Sequence, residues 1–490
     1  MIGRMKTLPG ILIFLTLAAR AFADAQPTGW LTMNSGEYAR VYKTTSDRTA
    51  GTTYTTWTGQ ASPSYADIAE VSSSASWVYV KATGLASHTM GPWLNPMGGQ
   101  FMFWPTNQHG IYRFPRTSSV PAGNKTTTGA GYSGLFVNGV AIFNFTDGKA
   151  WDGSTIVNGP HNQLTYYWHR NAPVGEGFNF DYALGHQPPT AIYHTHQQPL
   201  ALRYQLGDHV DYNSATKNYS ESTTSVTKHS PIIGWSYDGY PIYGPYGYSV
   251  TNNPISGVRR MISGYVQRDG SNGTDIAANN LSTIPAWYAR FRLKLGGSSS
   301  TTAGTARPAV NSTYPLGTFA EDFSYLGDLI NSATGKAYVQ GTNTFDLDQY
   351  NGRWCMTPEF PTGTYAYFVS NDAGGNGVYP YVFGYEYYGN PTGGSVNSIS
   401  EVVTTNFTGA ASSTLAMAVP AITNNIVTLT WSATEGGTYR LEASGNLTTW
   451  TTNASGIAAL LDKGTCTTSK VSTNQFFRVT RTALASYDPN

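Results

Sequence analysis

Two histidines stand two apart in Tyr193-His194-Thr195-His196. In an extended strand, residues i and i+2 share a face, so this pair presents two imidazoles side by side with Thr195 turned the other way. Neutral imidazoles at that spacing suit Cu2+ or Zn2+, with Mn2+ also accommodated, and a third ligand would complete a facial set. His229, which opens HSPIIGWSYDGYPIYGPYGY, is the first choice for that ligand, and His186, eight residues before His194, is the second. Asp181 reads either as a ligand or as the carboxylate that fixes an imidazole tautomer from behind. All nine histidines of the 490-residue chain fall between His88 and His229, the distribution of a localised site. Of these, His109, His161, His169 and His209 read as hydrogen-bonded packing residues of a Tyr-rich sheet. A blue-copper centre is excluded, because it needs a thiolate and this stretch has no cysteine.

Other chemistry is weaker. GWSYDG around Ser236 lacks the G-x-S-x-G spacing of a nucleophile elbow. The acids Glu321-Asp322 and Asp346-x-Asp348 are the raw material of a glycosidase, which needs two facing carboxyl groups. In β-turns such pairs more often cap the turn or hold Ca2+. The segment GAGYSG at Gly129 to Gly134 matches a dinucleotide fingerprint only formally, since a hairpin follows it where a helix is required. The run YDGYPIYGPYGY could stack sugars, but it reads better as a rigid packed loop.

These residues need strands to position them. LFVNGVAIFN is a hairpin signal, with Asn138-Gly139 expected as a type I′ turn between Leu135 to Val137 and Val140 to Phe145. Alternation predicts further strands at Tyr38 to Tyr42, Thr53 to Trp57, Trp77 to Lys81, Gln100 to Trp104, Ile111 to Phe114 and Arg259 to Arg268. Ile284 to Leu295 reads as a helix or a strand pair. The expected fold class is all-β: a large Tyr/Gly-rich antiparallel β domain over residues 24–388, with an N-terminal subregion at 24–75. A linker at 389–398 and a small C-terminal β-sandwich at 399–490 follow, the latter carried by Val427 to Trp431, Thr438 to Glu442 and Phe476 to Thr480.

Composition narrows the partners. Charged residues are 12% of the chain, against about 25% in typical soluble proteins. With 29 basic and 28 acidic side chains the net charge is +1, which excludes nucleic acid and anionic lipid as main partners. The N-terminus carries Arg4 and Lys6, an apolar run from Ile11 to Ala19, and Ala21-Phe22-Ala23. That is an export signal cleaved near Ala23, and the run is shorter than the roughly 20 residues of a membrane span. The mature chain is expected to be secreted, periplasmic or at the cell surface, without membrane insertion, its C-terminal module attaching to a surface or to another domain. The two cysteines, Cys355 and Cys466, fall in different expected domains, so they form no intradomain disulfide framework, and a long-range bridge between them stays open.

IYHTHQQP, HSPIIGWSYDGYPIYGPYGY, DYALGH, LFVNGVAIFN, AEDFSYL, LDQYNGRW and TPEFPTGTYAYF together resemble the YHYH domain family of exported proteins, from about Trp77 to Tyr388. Thr195 stands where the family's name has tyrosine, which touches a role for that hydroxyl and leaves both histidines in place. The family brings no established activity, so the resemblance supports the domain assignment. WSATEGGTYRLEASGNLTTW and NQFFRVT resemble immunoglobulin- or fibronectin-like modules. Two functional expectations follow. The first is an exported protein holding a divalent metal in a His cluster around YHTH, for metal-assisted hydrolysis or oxygen chemistry if it is an enzyme. The second is a non-enzymatic extracellular protein that binds glycans through exposed Tyr and Trp, its histidines being structural. The ligand itself, small molecule or glycan, is left open.

Overall fold

The computed structural model describes residues 27–32, 36–129, 131–275, 282–341, 344–409, 417–433, 438–458, 463–470 and 475–483. The export signal expected at residues 1–23 lies outside the described residues. Among the described residues no helix is long and apolar enough to cross a membrane.

The fold is all-β, and seven strands make its central sheet. They are β1 (Tyr132–Phe136), β2 (Ala141–Phe143), β3 (His194–Thr195), β4 (Ile232–Ser236), β5 (Pro241–Tyr243), β6 (Gly352–Cys355) and β7 (Thr364–Phe368), ordered β6-β7-β5-β4-β1-β2-β3. β1 with β2 and β4 with β5 are antiparallel hairpins, joined back to back through the antiparallel pair β1 and β4. The pairs β2 with β3 and β5 with β7 are parallel, so this sheet is mixed. Its strands are covered on both faces: Leu135, Phe136, Ile142, Ile233, Trp235, Ile242 and Tyr367 are all buried. That is why LFV, AIF and IIGW read as continuous apolar runs instead of alternating.

A second sheet is ordered Gly394–Ser395, Gly110–Pro115, Trp77–Ala82, Ile68–Ser73, Thr404–Thr408. Its Val78, Val80 and Phe114 share one hydrophobic cluster with Phe136 and Trp235 of the central sheet. The stretch 389–398, expected as a linker, is part of this body, because Gly394 and Ser395 pair with Arg113 and Tyr112. Thr404–Thr408 also pairs along Ile68–Ser73. The Gly/Pro-rich composition there serves close backbone approach: a Cβ on Gly393 would meet the Arg113 carbonyl oxygen at 2.7 Å.

Other expectations shift locally. Tyr38 to Tyr42 and Thr53 to Trp57 form isolated bridges instead of strands, and Gln100 makes a single bridge to Leu94. Arg259 to Arg268 splits between Asn253–Arg260 and Tyr265–Gln267. Ala286–Lys294 is a helix that buries Trp287, Tyr288 and Phe291. The hairpin turn differs from type I′, since Gly139 has φ +83° while Asn138 is absent from the positive-φ residues. Gly139 N–H donates to the Phe136 carbonyl (2.8 Å) and Phe136 N–H to the Val140 carbonyl (2.9 Å), a type I turn followed by a glycine bulge that needs one left-handed residue. Towards the C-terminus, two three-stranded antiparallel sheets share a separate cluster of Val427, Leu429, Trp431, Tyr439 and Leu441. Cys355 and Cys466 are both free thiols.

Candidate metal centre

The backbone of β3 sets the cluster. His186 and His194 form an antiparallel bridge, His186 N–H donating to the His194 carbonyl (3.0 Å) and His194 N–H to that of His186 (2.9 Å). Residues exchanging both bonds stand directly opposite, so their side chains leave the same face. His196, two residues beyond His194, joins them on that face. Each of the three histidines is 2% exposed, and they alone among the described residues form a group of three or more ligating side chains able to hold one ion.

Each ring is oriented by an acceptor behind it. His194 Nδ1 lies 2.9 Å from the Ile192 carbonyl, His196 Nδ1 2.5 Å from the Asn144 carbonyl, and His186 Nδ1 2.9 Å from Asn179 Oδ1. An oxygen there makes Nδ1 the protonated nitrogen and leaves the Nε2 lone pair facing forward. The forward atoms converge: Nε2 of His194 and His196 are 3.1 Å apart, and one ligand atom from each ring lies within 4.8 Å of the others. His186 Nε2 has no hydrogen-bond partner. Phe143 stacks on His194 with ring centroids 3.9 Å apart, and Phe180 lies 4.7 Å from His186. Burial, reinforced by the neighbouring imidazoles, drives His186 and His194 well below the usual histidine pKa, so neither ring takes up a proton readily.

A carboxylate lies beside two of the three rings. Glu176 Oε2 lies 3.3 Å from His196 Nε2 and 3.7 Å from His186 Nε2, with the Glu176 side chain 29% exposed. It closes the short helix Ala172–Glu176, and the next turn, Gly177–Asn179, delivers Asn179 behind His186. Nothing in the local pattern marks Glu176. Its only sequence signal is being, with Asp181, one of two acids in the stretch leading to His186.

Two expected ligands are elsewhere. His229 packs against Tyr243, Tyr248 and Phe368, its Nδ1 2.7 Å from the Ser230 carbonyl. Those rings belong to the β5 and β7 side of the sheet, several strands away from β3. Adjacency in sequence to a Gly/Tyr-rich block was a poor guide, because the block forms its own hairpin. Asp181 is outside the three-histidine group as well. Its carboxylate accepts N–H bonds from Gly91, Ala183 and Gly185 and the Tyr193 hydroxyl, and burial raises its pKa to about 6 despite those donors. Thr195 points away from the cluster and donates to the Gln197 carbonyl, so the missing tyrosine does not touch the three rings.

Of the five remaining histidines, His88 lies with its Nε2 3.2 Å from the Tyr193 hydroxyl, and the other four are structural or peripheral. His161 is fully buried between the Thr128 carbonyl and Thr146, and His169 pairs with buried Glu321 at 2.7 Å. His209 packs on Tyr246, and His109 is exposed. The paired acids are likewise committed: Asp322 to Arg307, Asp346 to Arg259, Asp348 to Tyr365 and a turn. No facing pair of free carboxyls results, and the glycosidase expectation loses its basis. Tyr237, Tyr240, Tyr243 and Tyr246 are buried and Tyr248 is half-buried, so most of the aromatic run is packing.

Comparison with curated proteins finds no match, and neither does comparison with solved structures. The family model described as YHYH protein matches residues 111–375, more than half of the chain, and that span contains all seven central strands and the histidine cluster. The chain belongs to the YHYH family.

Proposed function

We propose that this is an exported metal-binding protein whose ion is held by His186, His194 and His196, with the Glu176 carboxylate beside His186 and His196 as the nearby anionic group. The observation that carries the reading is the grouping of three buried imidazoles, one ligand atom of each within 4.8 Å of the others, whose Nδ1 atoms already face oxygen acceptors. Unprotonated ring nitrogens grouped this closely repel one another unless a cation lies between them. A proton would relieve the repulsion, but burial disfavours an imidazolium at His186 and His194. At a metal–nitrogen distance of about 2.0–2.1 Å, an Nε2···Nε2 edge of 3.1 Å corresponds to an angle of roughly 100° at the ion, which fits tetrahedral or octahedral coordination.

Three imidazoles and a carboxylate suit Zn2+, Cu2+ or Mn2+. A bound ion supplies Lewis acidity or an activated water. Phe143 and Phe180 cover two sides of the cluster, and Glu176 occupies the side with solvent access. Export is supported by the leader-like N-terminus. Burial of Tyr237, Tyr240, Tyr243 and Tyr246 removes most of one aromatic run from a glycan-binding alternative.

Calorimetric titration of metal-stripped full chain with Zn2+, Cu2+ and Mn2+ tests the reading. Saturable binding by the wild type, loss of it in His194→Ala, and a 10- to 100-fold weakening in Glu176→Gln are the expected results. No binding of any of the three ions, or equal affinity in His194→Ala, would overturn it.

A further inference from the structure

The two hairpins of the central sheet repeat each other residue by residue. In the first, Gly134 pairs with Ile142 and Leu135 with Ala141; in the second, Gly234 pairs with Ile242 and Trp235 with Pro241. Both turns put a glycine at φ +83°, Gly139 and Gly239. Across their junction Gly234 pairs with Phe136 and Gly134 with Ser236, a register that maps onto itself when the hairpins are exchanged. Each hairpin then receives a parallel strand at the same place: Ile142 against Thr195, Ile242 against Tyr367.

The loops before those strands repeat as well. Asp181 N–H donates to the Gly185 carbonyl and Leu184 N–H to that of Asp181; Asp348 N–H donates to Gly352 and Asn351 N–H to Asp348. Leu184 and Asn351 have φ of 69° and 68°. Asp181 Oδ1 accepts from the Ala183 and Gly185 amides, and Asp348 Oδ1 from those of Tyr350 and Gly352. The Tyr193 hydroxyl donates to Asp181 at 2.8 Å, and that of Tyr365 to Asp348 at 2.9 Å. Gly185 and Gly352 leave room for those tyrosines, since an added Cβ would come within 2.2 Å and 2.4 Å of the respective hydroxyl oxygens.

Where the two stretches differ is at the ligands. Aligned on this register, His186 corresponds to Arg353, His194 to Ala366 and His196 to Phe368. The second stretch fills the matching space with Tyr243, Met261, Cys355, Ala366 and Phe368, and its Arg353 donates to the Tyr248 carbonyl at 2.6 Å. That stretch keeps the scaffold without three ligating side chains.

We infer that residues 132–196 and 232–368 are two copies of one structural unit, the first holding the metal and the second its metal-free counterpart. In both copies the Asp–Tyr pair positions the strand, and Asp181 with Tyr193 is therefore the positioning device of the metal ligands. Asp181 fixes the loop that ends at His186 and, through Tyr193, the residue before His194, so it holds both sides of the His186–His194 bridge. Asp348 does the same for a strand that carries no ligands, five strand spacings or about 24 Å across the sheet. The positioning role rests on the metal reading above, whereas the duplication does not.

The test pairs Asp181→Asn with Asp348→Asn in the full chain, measuring Tm and Zn2+ affinity. Both substitutions should lower Tm to a comparable extent, and Asp181→Asn alone should raise the Zn2+ Kd, by about tenfold. If either variant fails to fold, Tyr193→Phe and Tyr365→Phe make the same comparison with one hydroxyl removed from each copy. The inference is overturned if the second-copy variant weakens Zn2+ binding as much as its partner, or if both first-copy variants bind like wild type. Absence of Zn2+ binding by the wild type would instead overturn the metal reading and the positioning role together. Comparable Tm losses would still support the duplication in that event.

Discussion

A half-buried imidazole that stays neutral ties stability to pH, and His229 shows how. Burial lowers its pKa to about 4, against the bond its Nδ1 makes to the Ser230 carbonyl, which acts in the opposite direction. Its folded pKa lies below the unfolded value of about 6.5, so the folded state binds fewer protons and stability rises with pH. The contribution is present above pH 6.5 and is lost as pH falls towards 4. His229→Gln removes the titrating group, and the stability of wild type relative to this variant should drop by up to about 3 kcal/mol between pH 7 and pH 4. Urea unfolding at a series of pH values measures this, and a difference that does not change with pH would refute it. At this scale the sequence was informative for His194 and His196, whose spacing alone sets a shared face. His186 was legible as a nearby donor, although its place opposite His194 depends on a loop bent by left-handed Leu184. Glu176 was not legible, because a residue ending a one-turn helix is placed by what that helix packs on.

Among elements, the first hairpin was the clearest in the sequence and its turn the least correctly anticipated. Asn-Gly predicts a two-residue loop, and the chain instead spends its glycine on a bulge. Gly139 is doubly constrained, since an added Cβ would lie 2.5 Å from the Ala82 Cβ as well as sitting at positive φ. Gly148 has φ +72° with nothing within 4 Å of an added Cβ. Gly148→Ala should therefore cost about 1–2 kcal/mol from backbone strain alone, and Gly139→Ala about 3 kcal/mol or more, because the hairpin must shift from the second sheet. Denaturant midpoints of the two variants decide this, and equal losses would show that the hairpin contact is slack. The repeated unit escaped notice in the sequence because its copies share mainly Asp, Gly and Tyr at scattered positions. The second copy is also interrupted by a long insertion that includes Ala286–Lys294.

For the whole molecule, all-β architecture was readable from turn chemistry and Tyr/Thr-rich strands, but the boundary near residue 389 was not. A Gly/Pro/Ser tract looks like a linker whether it is solvated or pressed against a sheet, and here Thr404–Thr408 completes the second sheet. A chain ending at Gly409 should keep the Tm and metal content of the main body, whereas one ending at Ser398 should lose several degrees in Tm as Ile68–Ser73 loses its neighbour. Thermal scans of both truncations check the assignment. The duplicated sheet with one ligand-bearing half makes a stoichiometric demand on the intact protein. Elemental analysis of purified full chain, loaded with Zn2+ and desalted, tests whether the histidine cluster holds an ion. One ion per chain is expected in the wild type and close to none in His186→Ala; a wild type that retains no metal, or a variant that retains as much as wild type, would refute the metal site.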